Sequence, residues 1–216
     1  MRLPRPPLLL ITDRHQARLP LEQVAEAAFE AGCRWLLLRD KDLPGPERLV
    51  LARQLVALAR PHGALVQVSG DPGIVEAAGA GGVHLPRDGD CAAARARLGP
   101  EALIGLSAHD LGEARSAERR GADYVTLSPV FESTSKPGYG PALGPDGFGR
   151  IAAAISIPVL ALGGVGVARI SACLAAGATG VAVMGEIMRA ADIHAKTKSL
   201  IRACGGKDQP SLETCS

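Results

Sequence analysis

Gly121-Ala122-Asp123-Tyr124-Val125 closes one apolar-striped segment and opens another of different period. The same join recurs at Ala31-Gly32-Cys33-Arg34-Trp35, Gly79-Ala80-Gly81-Gly82-Val83 and Gly177-Ala178-Thr179-Gly180-Val181. Each copy follows a helix-period stretch and leads into a short run rich in Val, Leu or Ile. A helix that ends on a left-handed residue favours glycine, which has no Cβ to clash. The small residue after it lets the next strand begin close to the helix. One such glycine is an ordinary helix end; its recurrence through the chain specifies a repeating helix-to-strand joint.

Working outward from these joints, eight strands are expected near Leu8–Thr12, Arg34–Arg39, Ala64–Val68, Gly82–Leu85, Leu103–Ser107, Tyr124–Ser128, Pro158–Leu162 and Gly180–Met184. Their near-continuous apolar character suits strands buried on both faces. Helical patterns lie between them. The clearest runs from Pro46 to Arg60, with Leu49, Val50, Leu55, Val56 and Leu58 as its apolar stripe and Pro61 and Gly63 as its stop. Strict β/α alternation requires a parallel sheet. Eight units in 216 residues predict an α/β fold of compact (β/α)8 TIM-barrel type, a single domain over residues 1–204. An open doubly wound sheet is the rival, but no G-x-G-x-x-G follows the first strand. Residues 205–216 lose periodicity and read as a flexible C-terminal tail.

Composition narrows the function. The net charge of +2, with both signs interspersed, gives no electrostatic footprint for nucleic acid. Aromatics at 3% leave few platforms for stacking bases. No stretch approaches the ~20 apolar residues of a membrane span, and Leu8–Ile11 is too short for a signal peptide. The five scattered cysteines include no C-x-x-C pair, which argues for a reducing compartment and a cytoplasmic protein. The sequence leaves open whether it forms a homo-oligomer.

In a barrel of this kind the chemistry lies at the C-terminal strand ends. Arg39 and Lys41, two apart after the second strand, face the same side and can grip phosphate oxygens. Ser69 ends the third strand, and Ser107 and His109 close the fifth. After the sixth, Ser133, Thr134, Ser135 and Lys136 supply hydroxyl donors and a cation on a glycine-rich loop that suits an anion-gripping lid. Gly163 and Gly164 after the seventh strand, and Met184 and Gly185 after the eighth, lead into helices whose bare amides suit phosphate. Each feature alone also fits a plain turn or a solvated rim; together, at one face, they point to a phosphorylated ligand.

Among the histidines, His84 lies within a strand and reads as a core or rim residue. His109 is an acid/base candidate. His15, His62 and His194 belong to no constellation. Asp71, Asp88 and Asp90 offer carboxylates for a hard cation such as Mg²⁺, although loop aspartates also serve as turn and cap residues.

Taken in order, Ile11-Thr12-Asp13, Arg39-x-Lys41, Gly82-Val83-His84-Leu85, Ile104-Gly105-Leu106-Ser107-Ala108-His109, the Gly121 joint, Ser128-Pro129-Val130-Phe131 with Ser133-Thr134-Ser135-Lys136, and Leu162-Gly163-Gly164-Val165 form an ordered set. This set resembles the thiamine phosphate synthase / thiazole tautomerase family over residues 8–203. The resemblance implies a (β/α)8 barrel that joins aminopyrimidine methyl diphosphate to a thiazole phosphate and releases diphosphate. In the synthase the arginine and lysine after the second strand hold diphosphate; here these are Arg39 and Lys41. Its hydroxyl-x-hydroxyl-lysine lid matches Ser133, Ser135 and Lys136, and its strand-5 serine matches Ser107. Its thiazole-phosphate cup matches Gly163, Gly164 and the Met184-Gly185 turn.

Five residues depart from the pattern. Leu37 stands where the synthase has glutamine. Ser69-Gly70 replaces its Asn-Asp pyrimidine contact and Mg²⁺ ligand, and Gly89 replaces its second Mg²⁺ carboxylate. Pro129 stands where the tautomerase carries its acid/base histidine. The expected activity is therefore synthase-type transfer through Ser107 and Lys136, with Mg²⁺ as the implied cofactor. The alternative is a metal-free tautomerase acting on a thiazole carboxylate phosphate, with His109 moving protons. A third reading is a non-catalytic thiamine or thiazole phosphate-binding protein. All three take small phosphorylated heterocycles as partners.

Overall fold

The computed structural model describes residues 3–132 and 141–205. The eight strands are β1 (Leu8–Ile11), β2 (Trp35–Leu38), β3 (Leu65–Ser69), β4 (Gly82–Leu85), β5 (Leu103–Ala108), β6 (Tyr124–Leu127), β7 (Val159–Ala161) and β8 (Gly180–Val183). They pair in parallel and in chain order, and β1 closes on β8 through Leu8–Val181, Leu9–Ala182 and Leu10–Val183. Closure leaves the sheet no free edge. The (β/α)8 expectation holds, with strand bounds close to those read from the sequence.

The helices are α1 (Leu21–Glu30), α2 (Gly45–Ala59), α3 (Pro72–Ala78), α4 (Cys91–Leu98), α5 (Leu111–Arg119), α6 (Gly144–Ala152), α7 (Val167–Ala175), the short α8 (Gly185–Met188) and α9 (Ile193–Ala203). The four joints share one hydrogen bond, from the residue after the glycine back to a carbonyl five residues earlier. It runs from Cys33 to Ala28, Ala80 to Val75, Ala122 to Ala117 and Ala178 to Cys173, at 2.9–3.1 Å. Gly121 between them has φ +82°, the left-handed value this closure requires. The repeat in sequence is therefore a repeat in backbone geometry.

Burial separates two apolar layers. Side chains between barrel and helices form the larger one. Inside the barrel lie Leu9, Ile11, Trp35, Leu37, Leu103, Tyr124, Leu160 and Ala182. Trp35 and Tyr124 meet edge to face at 4.9 Å, a favoured aromatic geometry. Gly105 opposes them: a methyl group there would stand 2.2 Å from Tyr124 Cζ, so its missing side chain makes room for the phenol ring. Two of the six aromatics thus meet at the barrel axis, while Phe29 and Phe148 pack in the layer between barrel and helices.

The stripe expected on α2 needs correction. Its buried face is Arg48, Ala52, Leu55, Val56 and Ala59, whereas Val50 is 56% exposed. The β2–β3 crossover sets which face looks inward, and the resulting i, i+4, i+7, i+8 and i+11 set begins on a charged residue. Cys33, Cys91, Cys173 and Cys204 are all buried and free. Burial pushes the Cys33 thiol up to about 11, so it stays protonated and unreactive. Among the described residues no helix is long and apolar enough to cross a membrane.

Candidate active site

The carboxyl end of β2 is fixed by a buried aspartate. Asp40 accepts hydrogen bonds from Thr12 Oγ1 at 2.6 Å and from the Arg14 amide at 2.7 Å, and Thr12 Oγ1 accepts from the Arg39 amide at 2.9 Å. These bonds tie β1 to β2 and position the two flanking cations, Arg39 and Lys41. The stem of Lys41 lies across Gly70, with Cε 4.0 Å from where a methyl group on that glycine would stand. Burial lowers the Lys41 pKa, and the nearby charges of Arg39 and Arg48 lower it further. Three cations thus share one corner of the barrel mouth.

Arg48 is the cation the sequence reading missed. It is buried on α2, donates to the Ser69 carbonyl, and leaves its Nε without a partner among the described residues. Its signal in the sequence is a charge at the head of a stripe that is otherwise apolar. Ser69 itself is buried at the end of β3. Gly70 beyond it has φ +74°, a turn that carries the chain into α3.

Beneath this corner a polar relay crosses the barrel. The Gln67 side-chain amide donates to the carbonyls of Val83 (3.1 Å) and Leu103 (2.8 Å), which fixes its oxygen as an acceptor. That oxygen accepts from Trp35 Nε1 at 2.8 Å and from the Tyr124 hydroxyl at 2.7 Å. With its proton committed to Gln67, the Tyr124 oxygen can only accept from His84 Nδ1, 3.0 Å away. His84 is therefore the Nδ1–H tautomer, and its Nε2 carries a lone pair. Two hydroxyls face that lone pair, Ser107 Oγ at 3.1 Å and Thr126 Oγ1 at 3.3 Å. Burial and then the charge of Lys41 push the His84 pKa down to about 3, so the ring is neutral. The cation corner and Ser107 consequently share one electrostatic environment. Sequence reading took His84 as a core or rim residue; it is buried, but it also holds the strand-5 serine.

The remaining residues spread around the rim. His109 pairs with Glu113, its Nδ1 2.7 Å from Oε2. Asp71 and Asp90 each cap a helix, accepting from the amides of Ile74 (3.1 Å) and Ala93 (2.9 Å), and Asp88 is exposed. Gly70 and Gly89 bring no donor atom from a side chain. Among the described residues no three His, Cys, Asp or Glu side chains come together as metal ligands do. The described residues do not fit a protein-built Mg²⁺ site.

At the β7 end, Gly163 and Gly164 have φ +93° and +62° and pass close under the segment that follows β6. A methyl group on Gly163 would stand 2.8 Å from Pro129 Cα. Arg169, in the first turn of α7, donates to the Gly164 carbonyl at 2.9 Å and covers the Phe131 ring at 4.7 Å. A cation in a helix's first turn opposes the macrodipole, a signal that the sequence reading overlooked. Glu186 lies against Gly166 and pairs with Lys196 at 3.4 Å, while the Arg189 guanidinium lies over Gly185 beside Met184. The amides at this end thus sit among both signs of charge. Ser133, Ser135 and Lys136 lie outside the described residues, as does most of the expected C-terminal tail.

Cations at β2, hydroxyls at β3, β5 and β6, and a neutral imidazole held rigidly below them can bind an anion and steady charge that develops on it. The family model for thiamine monophosphate synthase matches residues 8–187. A thiamine-phosphate synthase of Chromobacterium violaceum is 42% identical over 82% of this chain and 86% of its own length. A bifunctional thiamine biosynthesis protein of Symbiobacterium thermophilum is also 42% identical, but the chain spans 37% of that protein. A thiamine phosphate pyrophosphorylase structure from Pyrococcus furiosus matches with a TM-score of 0.82 and 30% identity, over 92% of this chain and 95% of its own.

Proposed function

Because this chain belongs to the thiamine monophosphate synthase family, we propose that it joins an aminopyrimidine methyl diphosphate to a thiazole phosphate. The C–O bond to diphosphate breaks with its electron pair leaving on oxygen. The thiazole nitrogen lone pair then forms the new C–N bond to the pyrimidine methylene carbon. The products are thiamine phosphate and free diphosphate, and no proton need be lost.

One observation carries this reading: Lys41, His84 and Ser107 act on a common space. Burial, and after it the charge of Lys41, lowers the His84 pKa, and His84 holds Ser107 at 3.1 Å. Arg39 and Lys41 hold the departing diphosphate, and Ser107 gives it a hydroxyl proton as a hydrogen bond. Removing one such donor in a dry site costs about 2.7–4 kcal/mol of transition-state stabilisation. Lys136, Ser133 and Ser135 supply further donors to the anion, and Ser69 meets the pyrimidine. Gly163, Gly164, Met184 and Gly185 receive the thiazole phosphate. A divalent ion, if bound, would add Lewis-acid charge on the leaving group. The reading places the protein in the cytoplasm, with its barrel domain over residues 1–204.

The glycines at 70 and 89 favour a second reading, a tautomerase of thiazole carboxylate phosphate with His109 carrying protons. Incubation with both synthase substrates, with Mg²⁺ and with EDTA, separates the two. Thiamine phosphate detected by mass spectrometry supports the transferase. If no product forms at any metal concentration while the thiazole carboxylate phosphate alone is isomerised, the tautomerase stands instead. If both fail, and heat of binding to thiamine phosphate persists, the protein is a binder.

A further inference from the structure

Two hydroxyls compete for one lone pair on His84. Nε2 of a neutral imidazole takes one strong hydrogen bond, yet Ser107 and Thr126 both aim at it, at 3.1 and 3.3 Å. Their surroundings differ. Thr126 is 1% exposed, and His84 is its only side-chain hydrogen-bond partner among the described residues. Ser107 is half-buried at the rim and open to a ligand. The ring between them cannot swing away, because Nδ1–H is held by Tyr124, and Tyr124 by Gln67, which is itself pinned to two backbone carbonyls.

We propose that Thr126 is a positioning residue that takes over His84 Nε2 when Ser107 turns its hydroxyl proton to a bound diphosphate oxygen. Without ligand, Ser107 donates to His84 and Thr126 shares the same acceptor at longer range. With ligand, Ser107 donates to the anion and Thr126 donates fully to His84. No buried polar atom is left unpaired in either state, so reorienting Ser107 carries little of the penalty that an orphaned acceptor would impose. No covalent bond changes. The identity of the anion rests on the synthase reading; the hydroxyl exchange itself requires only that Ser107 meet an anion.

Titration calorimetry with inorganic diphosphate tests this on the full chain, using Thr126→Val, Thr126→Ser, Ser107→Ala and the Ser107→Ala/Thr126→Val pair. Thr126→Val keeps the side-chain shape and removes the substitute donor, so diphosphate binding should weaken about tenfold. The melting temperature without ligand should stay within a few degrees, because Ser107 still serves His84. Thr126→Ser should restore binding to within about twofold. The double variant should bind like Ser107→Ala alone, because Thr126 matters only if Ser107 can turn. Nitrogen-15 NMR of the unliganded protein should show His84 protonated at Nδ1. Wild-type affinity in Thr126→Val, additive losses in the double variant, an Nε2–H tautomer, or no binding of diphosphate by the wild type would each overturn the exchange. A wild type that binds diphosphate and obeys this cycle but makes no thiamine phosphate would remove the synthase reading and leave the exchange standing.

Discussion

The stem of Lys41 rests on Gly70, with its Cε 4.0 Å from the place a side chain would begin. A larger residue at 70, already strained at φ +74°, would meet that stem. The ammonium of an exposed surface residue is thereby led toward the strand-3 corner, beside Arg39 and above His84.

Lys41→Met should therefore cost activity and little stability. The expected loss in kcat/KM is about 100-fold, the value of one charged donor on a leaving anion. The unfolding free energy should move by less than about 0.5 kcal/mol, as for other exposed substitutions. Steady-state kinetics and urea unfolding on the same preparation check both halves.

Arg48→Met should show the opposite balance in part. It leaves the Ser69 carbonyl without its donor in a buried setting, and a lost buried partner costs about 1–3 kcal/mol. Urea unfolding reads that loss. Arg48→Lys, which keeps a charge that can reach the same carbonyl, should recover most of it.

Gly105→Ala tests the packing of the barrel axis. A methyl group 2.2 Å from Tyr124 Cζ forces the ring away, and overpacking of this kind costs about 1–3 kcal/mol. Because Tyr124 holds His84, the same substitution should also release His84 from its tautomer. Thermal unfolding and histidine nitrogen-15 shifts check the two effects together.

His84 makes a signed pH prediction. Its folded pKa is about 3 against an ordinary 6.5, through burial first and Lys41 second. The unfolded chain binds a proton in that interval and the folded chain does not. The stability linked to this group is fully present above pH 6.5 and is lost as pH falls toward 3, at about 1.4 kcal/mol per pH unit. His84→Gln should flatten the acid limb of stability against pH by one proton, measured by urea unfolding between pH 4 and 7.

Asp90→Ala should lower stability by about 1 kcal/mol, the usual loss on removing an N-cap aspartate. It should leave any effect of Mg²⁺ on turnover unchanged, because the Asp90 carboxylate caps α4 through the Ala93 amide.

The sequence carried the fold plainly and the site unevenly. The four glycine joints and the eight apolar runs specified a closed β/α repeat, because helix ends and buried strands impose narrow residue choices. Arg39, Lys41 and Ser107 were visible as polar residues at strand ends, where a barrel exposes them. Gln67, Tyr124 and Thr126 were not. In a strand buried on both faces, alternation does not reveal which side chains enter the barrel, so a glutamine or threonine there reads as one more buried position. Arg48 was hidden differently: the register of α2 became clear only once β2 and β3 flanked it, and the stripe then began on Arg48 and left Val50 outside.

If the cation corner and Ser107 act as proposed, diphosphate leaves as the two heterocycles join. Phosphorus-31 NMR of the purified protein with both substrates tests it most directly. Free diphosphate and thiamine phosphate should rise together, one for one, and neither should rise when the thiazole phosphate is withheld. Diphosphate released without thiamine phosphate, or isomerised thiazole with no diphosphate released at all, would contradict it.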